Sequence, residues 1–426
     1  MFVADLDRPW LETPFLLQGF LITEDRQIAL LRQYCKTVEV DFSRSASNLK
    51  RSHPKPAPAK TADPAAKKLQ FRTVEDARPD DFAAICRMLR EKPSRDRYAE
   101  PPAVSAIDGQ SRLEPELLYS APIVDDVKRT LQSIRETQNP ENAEKLHQVG
   151  SLVSELAESV QRNPDAMLWL TRLKTTDRYS YDHAVDVSVH LMIFGRFLNL
   201  APRVVQALGL AGMLQDIGKV DISQDILNKR DHLDEEEYAL IQSHVASSLE
   251  MLIGQPGFGP EVLDIVAGHH ERHDGSGYPR RLQGEKISLT AELSGLIDVY
   301  CAMTRNRAYN TAISHHRALE ALISTRGTKF REPLVDQFIQ CMGLYPVGTM
   351  VELNSGEVGV VIQQNRVRRL LPRVLIVLAS DKSMERYPRT LDLMMRPETA
   401  TGDPYRILRS LPPDAYGIDP KELYLA

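Results

Sequence analysis

The chain has 426 residues, 42% of them hydrophobic and 26% charged, with a formal net charge of -5, which describes a globular protein of two or three domains and excludes a basic DNA binder or a disordered chain. Its four cysteines, Cys35, Cys86, Cys301 and Cys341, show no CxxC or CxC spacing, so neither a disulfide framework nor a thiolate zinc site is expected, and a cytoplasmic setting fits best. The start MFVADLDRPW lacks a basic n-region followed by an apolar core, and no uninterrupted apolar run reaches the roughly 18 residues of a spanning helix, so membrane insertion is not expected.

Residues 1–42 set short apolar runs, PFLLQGFLIT and TVEVDF, beside a helical patch at DRQIALLRQYC, which predicts part of a small α+β N-terminal domain. Residues 43–70, SRSASNLKRSHPKPAPAKTADPAAKKLQ, hold almost nothing apolar to offset the entropy of ordering, and predict a flexible linker or loop. Its lysines could meet an acidic partner, although a solvated, mildly basic linker is the simpler reading. Residues 71–141 are taken as the remainder of the N-terminal region and a connector. Over 142–345 the pattern turns to amphipathic segments of helical period, which predicts an all-helical domain. Within it, DHLDEEEYALIQSHVASSLEMLIG predicts one helix, capped by Asp234 with Glu237 three residues on, carrying Ile241, Val245, Leu249 and Leu252 on one face and ending at Gly254. Over 346–426, VGTMVEL, EVGVVIQQ and RVLIVLAS around the turn-like NSGE predict a C-terminal β extension. The expected fold class is therefore mainly α, with a small α+β unit before the bundle and a small β unit after it.

The segment PRVVQALGLAGMLQDIGKV opens with Pro202, suited to a first helical position, and is apolar or small on nearly every side. Such a helix is buried. Gln215, Asp216 and Lys219 at its end need partners, because an unpaired buried carboxylate costs several kcal/mol or more. Lys219, three residues after Asp216, offers a local ion pair; a metal ion is the other candidate.

The histidines favour the metal. His244 lies near the apolar face of its predicted helix, and His269 and His270 are adjacent in EVLDIVAGHHERHDGSGYP. Any one alone is more often a satisfied core histidine. Together with Glu271 and Asp274 they concentrate imidazole and carboxylate where a helix must stop, which suits a divalent first-row metal. His183 in YDHAVDVSVH and Asp298 in LIDVYCAMT sit inside apolar helical segments that give no solvation reason for them. His315 and His316, in SHHRALEALI, look like an exposed helix start.

The order His183, then xDIGK, His244, HHExxDGxGYP and DVYxAxT resembles the HD-GYP phosphodiesterases of the HD superfamily over Asn142 to Met342, with His269 to Pro279 matching in full. LDRPWLETPFLLQGFLI also resembles the small domain that precedes many HD-GYP modules. The resemblance implies a helical HD-superfamily bundle, a site for two divalent metals, Fe or Mn, and hydrolysis of cyclic di-GMP to pGpG or GMP in bacterial signalling. By position it makes Asp216 the bridge between the metals, gives His244, His269 and His270 to one and His183 and Asp298 to the other, and sets Lys219 at the phosphate. Gly275, Gly277, Tyr278, Pro279 and Arg307 would line the nucleotide site, the glycines as flexible elements. Two cations about 3.5 to 4 Å apart would clamp the phosphate and generate hydroxide at neutral pH.

The chain departs from the pattern at Gln215, where the family has the histidine of its HD dyad. As a ligand its amide oxygen would be a hard neutral donor that suits Ca or Mg better than Fe or Zn, so the second metal is expected to bind weakly or not at all. Cys301 replaces an aspartate, Ala308 a proline, Asn310 a basic residue and Tyr179 a glutamate that supports a third metal in some members, changes that all bear on the same site. His190 could compensate but is expected to be structural. The expected activity is thus a cyclic di-GMP phosphodiesterase, with an inactive domain that binds cyclic di-GMP or a signalling protein as the alternative. Neither the oligomeric state nor the signal sensed is legible.

Overall fold

The computed structural model divides into two compact units, Met1–Pro79 and Asp80–Ala426. It describes residues 2–6, 20–22, 31, 38–41, 89, 95, 100–105, 110–136, 142–172, 179–229, 231–305, 312–365, 368–412 and 415–417. In the first unit β1 (Phe2–Leu6) lies between β2 (Phe20–Leu21) and β3 (Val38–Asp41), antiparallel to both, with Val3 opposite Phe20 and opposite Val40. The strands expected in PFLLQGFLIT and TVEVDF are these two. The expected helical patch is described only at Leu31, which is helical and buried, and the expected linker at 43–70 lies outside the described residues.

The second unit is a helical bundle closed by a sheet. Its helices are α1 (Leu113–Glu136), α2 (Asn142–Arg162), α3 (Pro164–Arg172), α4 (Tyr179–Phe197), α5 (Pro202–Leu214), α6 (Gln224–Leu227), α7 (Glu235–Gln242), α8 (His244–Leu252), α9 (Pro260–Gly268), α10 (Leu289–Met303), α11 (His315–Ile323) and α12 (Glu332–Met342). Helix α1 falls in the stretch taken as the remainder of the N-terminal region and a connector, 71–141. Its Leu117, Val127 and Leu131 are nonetheless buried in one core with Trp169, Phe194 and Phe338. A connector would have left that apolar stripe in water, so the bundle begins earlier than the change of pattern at Asn142 suggested. Among the described residues no helix is long and apolar enough to cross a membrane.

The C-terminal strands β4 (Met350–Leu353), β5 (Val358–Gln363), β6 (Arg373–Leu378), β7 (Met384–Asp392) and β8 (Ile407–Leu411) form an antiparallel sheet in the order β7-β6-β5-β4-β8. Side chains alternate across it, as a strand period of two requires. Val358, Val360, Leu375 and Val377 join the helical core, whereas Val361, Val374 and Ile376 form a second cluster with Leu391 and Leu393 on the other face.

Two polar groups brace the bundle at positions with little local signal. Asp186 of α4, fully buried, accepts hydrogen bonds from Arg305 Nε at 2.7 Å and faces His190 Nδ1 at 3.0 Å, while Arg305 also donates to the carbonyl of Thr171 at 2.7 Å. Burial alone would push the Asp186 carboxyl up, but Arg305 and then His190 hold it well below the usual carboxylate range. Replacing Arg305 by Met strands that carboxylate, and we expect a loss of about 3 to 5 kcal/mol in urea unfolding, partly recovered by adding Asp186→Leu. Unchanged stability would show the pair to be solvated. The second group corrects an expectation. Ser314 caps α11 and His316 is exposed, but His315 is buried and its Nδ1 accepts from the Tyr300 hydroxyl at 2.7 Å. Burial pushes its pKa well below the ordinary imidazole value.

Candidate metal centre

Helix α5 starts at Pro202 as expected, is buried from Ala207 onward, and ends at Leu214 with Gln215 as its cap. Asp216 follows and leads into a 3-10 turn, Ile217–Asp221. That turn lies directly against α8. A Cβ at Gly218 would stand 2.4 Å from the His244 carbonyl oxygen and 2.5 Å from the Ser248 nitrogen, so only glycine fits. The Ser248 hydroxyl ties the two segments, accepting from Gly218 N and donating to the Gln215 carbonyl, both at 2.9 Å.

The single helix expected from Asp234 to Gly254 is two, α7 and α8. Its start is as predicted, with a reciprocal capping box between Asp234 and Glu237. Near the join at Ser243, His244 Nδ1 donates to the Ile241 carbonyl at 2.6 Å. After α9, His269 Nδ1 does the same to the Val266 carbonyl at 2.7 Å. With Nδ1 carrying the proton, each ring turns a bare Nε2 lone pair inward. These two Nε2 atoms stand 3.4 Å apart and lie 3.2 Å (His244) and 3.7 Å (His269) from Asp216 Oδ1. His270 Nε2 is shielded from solvent and has no hydrogen-bond partner among the described residues. Burial, then the neighbouring His269, pushes the His270 pKa well down and keeps the ring neutral. Acceptors converging without a donor are what a cation satisfies.

On the opposite side, His183 of α4 and Asp298 of α10 meet at 2.9 Å. Burial acts against ionisation of Asp298, yet His183 holds its carboxyl well below the usual range. Burial likewise opposes ionisation of Asp216, but Lys219 Nζ at 2.8 Å holds it low. The expected local ion pair is therefore present. Asp216 offers a ligand atom within 4.8 Å of those of His244, His269 and His270, and also within 4.8 Å of those of His183 and Asp298. One carboxylate thus serves two adjoining sets of donors, and the imidazole–carboxylate mixture fits divalent first-row metals.

Gln215 is not aimed as a ligand. Its Oε1 accepts from the Ser294 hydroxyl at 2.7 Å, and its Nε2 donates to Asp298 Oδ1 at 3.3 Å. Because an ionised carboxylate only accepts, the amide NH2 must face Asp298. The side chain expected to offer a weak ligand oxygen presents a donor instead. One further expectation is corrected here, and the structural role expected of His190 agrees with its place. Cys301, fully buried, groups with Asp186 and His190 one helical turn beyond Asp298, where burial pushes its thiol well up. It does not line the metal centre, and His190 belongs to the Asp186 pair. Arg307, Ala308 and Asn310 lie outside the described residues, as does the side chain of Tyr179.

The turn after His270 is built by the two carboxylates that the sequence sets beside the histidines. The buried Glu271 carboxylate accepts from Arg280 N at 2.8 Å and Leu282 N at 2.9 Å, and Asp274 accepts from Ser276 N while pairing with Lys329 at 2.9 Å. Neither joins the donor sets. The Ser276 bonds and Lys329 bring the Asp274 pKa down to about 2, against a modest opposing effect of burial. Gly277 is no flexible element. A Cβ there would stand 2.4 Å from both His270 O and Arg272 N, so the backbone is wedged. Gly275, at φ +80°, makes the left-handed bend. The result is that Tyr278 stacks on His270, ring centroids 4.6 Å apart, with Pro279 exposed beside it. Replacing Glu271 by Gln sets an amide NH2 against a backbone N–H, and we expect about 1 to 3 kcal/mol less stability by thermal or urea unfolding. Full stability would mean that the turn does not depend on that carboxylate. Sequence reading also missed Ser248 and Ser294; their spacing of four residues from His244 and Asp298 on the same helices was the available signal.

Residues 156–332 match the HD domain, and residues 1–162 match a domain of unknown function, DUF3391. The cyclic di-GMP phosphodiesterase PA4108 of Pseudomonas aeruginosa is 31% identical over 396 residues, covering 92% of this chain and 86% of that protein. The chain belongs to the HD-GYP phosphodiesterase family. Shorter matches include the 3'3'-cGAMP-specific phosphodiesterase 1 of Vibrio cholerae, 34% identical over 160 residues, 37% of this chain and 36% of that protein. The cyclic di-GMP phosphodiesterase response regulator RpfG of Xanthomonas campestris is 35% identical over 144 residues, 34% of this chain and 38% of its own. An HD domain implies divalent-metal binding, and the converging bare nitrogens and shared carboxylate fit that role.

Proposed function

We propose that this chain is a metal-dependent phosphodiesterase that hydrolyses cyclic di-GMP to linear pGpG in bacterial second-messenger signalling. The observation that carries the reading is the meeting of six residues from five chain segments, His183, Asp216, His244, His269, His270 and Asp298, at one place beside the Gly-Tyr-Pro turn. The relative matched over most of both chains is named for this substrate. The donor set favours two Fe or Mn ions, with His244, His269 and His270 serving one, His183 and Asp298 the other, and Asp216 both. Divalent cations bound there supply Lewis acidity at the phosphate and hydroxide at neutral pH. The protein's part is orientation: the backbone carbonyls of Ile241 and Val266 fix the tautomers of His244 and His269. Lys219 carries its ammonium group at the carboxylate shared by both donor sets, poised to meet the charge of the phosphate.

The Gln215 geometry favours a second reading, a domain that holds cyclic di-GMP or a protein partner without cutting it. Protein purified without oxygen and loaded with Fe(II) or Mn(II) is expected to convert cyclic di-GMP to pGpG, followed by chromatography with mass detection. Binding without product under every loading overturns the first reading in favour of the second. Cleavage of 3'3'-cGAMP in preference would reassign the substrate.

A further inference from the structure

Helix α7 has no buried residue, yet it presents a large aromatic side chain: Tyr238 is 49% exposed. A lone exposed tyrosine would need no explanation. This one continues a series. The rings of His269 and His270 lie 4.0 Å apart, Tyr278 stacks on His270 at 4.6 Å and 31°, and Tyr238 meets Tyr278 edge-on at 6.3 Å and 76°. Aromatic rings therefore run outward from the metal-binding nitrogens to the surface, and the outermost, Tyr238, keeps half of its area in solvent. The helix that carries Tyr238 is held in place from both ends, by the Asp234–Glu237 capping box and the Lys229–Glu237 ion pair at one and by His244 at the other.

We infer that Tyr238 is a stacking platform for a purine base of the nucleotide whose phosphate sits at the centre. The inference rests on the phosphodiesterase reading above and deepens it. Every base has a π-face, so a tyrosine ring adds affinity without reading hydrogen-bonding edges, and such stacking follows the base and not the phosphate. Tyr238 thus sets affinity for the nucleoside part of the substrate while the histidines and Asp216 hold the reacting group.

The test uses the full-length, metal-loaded protein and reads equilibrium binding of GMP and of the base-free ribose 5-phosphate, and for cyclic di-GMP, which the loaded protein turns over, the KM. Tyr238→Ala is expected to weaken cyclic di-GMP and GMP by about 5- to 150-fold and to leave ribose 5-phosphate unchanged, while Tyr238→Phe keeps the wild-type affinities. Equal weakening of all three probes marks a structural role and overturns the inference, as does full affinity of Tyr238→Ala for GMP. If the wild type neither binds nor cuts cyclic di-GMP, the phosphodiesterase reading falls separately, and the platform is judged on GMP against ribose 5-phosphate. A wild type that holds these two equally has no platform.

Discussion

Asp216→Ala is expected to abolish hydrolysis and to strip the protein of metal. Asp216 is the residue shared by both sets of donors, so its removal takes a ligand from each. Losing a residue that merely orients a ligand costs about 10- to 100-fold in metal affinity or activity, and losing a ligand common to two sites should exceed about 100-fold in both. The variant also leaves Lys219 without its partner at 2.8 Å, but Lys219 is partly exposed and can turn to solvent, so folding should survive. Metal content by mass spectrometry and cyclic di-GMP turnover, measured on the same preparation, check the result. An Asp216→Ala protein that kept two metals per chain would remove the basis for a shared carboxylate.

Gln215→His should have the next largest effect, and in the opposite direction. In the wild type the Gln215 amide is locked, its oxygen held by Ser294 and its NH2 pointed at Asp298. A cation near Asp298 and His183 would therefore meet a hydrogen-bond donor where a lone pair is wanted. Wild-type protein should bind about one metal tightly and the second loosely. Histidine at 215 supplies the missing lone pair, and the second site should tighten by at least about 10- to 100-fold, or about 1.4 to 2.7 kcal/mol. Titration of metal-free protein with Mn(II), followed by calorimetry, separates the two steps, and a rise in turnover should accompany the second. A wild type that already takes up two ions with matched affinity would show that the Gln215 amide reverses on loading. Its hydrogen bond to Ser294 would then be the weaker contact.

Much of the centre could be foreseen because its signals are local. Adjacent histidines, an aspartate at the end of an apolar helix, and the Asp234 capping box are each visible within a few residues of sequence. What escaped depended on long-range packing. Glu271 looked like a ligand because a carboxylate beside two histidines is what a metal site offers; only the fold shows it spent on the amides of Arg280 and Leu282. Cys301 looked like part of the site because it stands where the family pattern has an aspartate, but the fold sets its thiol beside Asp186 and His190. His315 looked exposed at a helix start, and its burial needed the Tyr300 hydroxyl from another helix. Helix α1 was missed for a related reason. Its apolar stripe is interrupted by the buried Glu116 and Ser120, which satisfy each other and Arg162 and so weaken the sequence pattern without weakening the core.

The contact at Gly218 has a mechanical consequence. With no space for a side chain between the turn after Asp216 and the backbone of α8, the backbone segments that carry the carboxylate and the His244 ring cannot slide apart independently. They travel as one block. Small displacements of the surrounding bundle then leave their separation intact, and the centre tolerates breathing motions up to the point where the backbone contact itself opens. Beyond that threshold both groups are lost together, which gives the protein an on-or-off dependence on the integrity of a single turn.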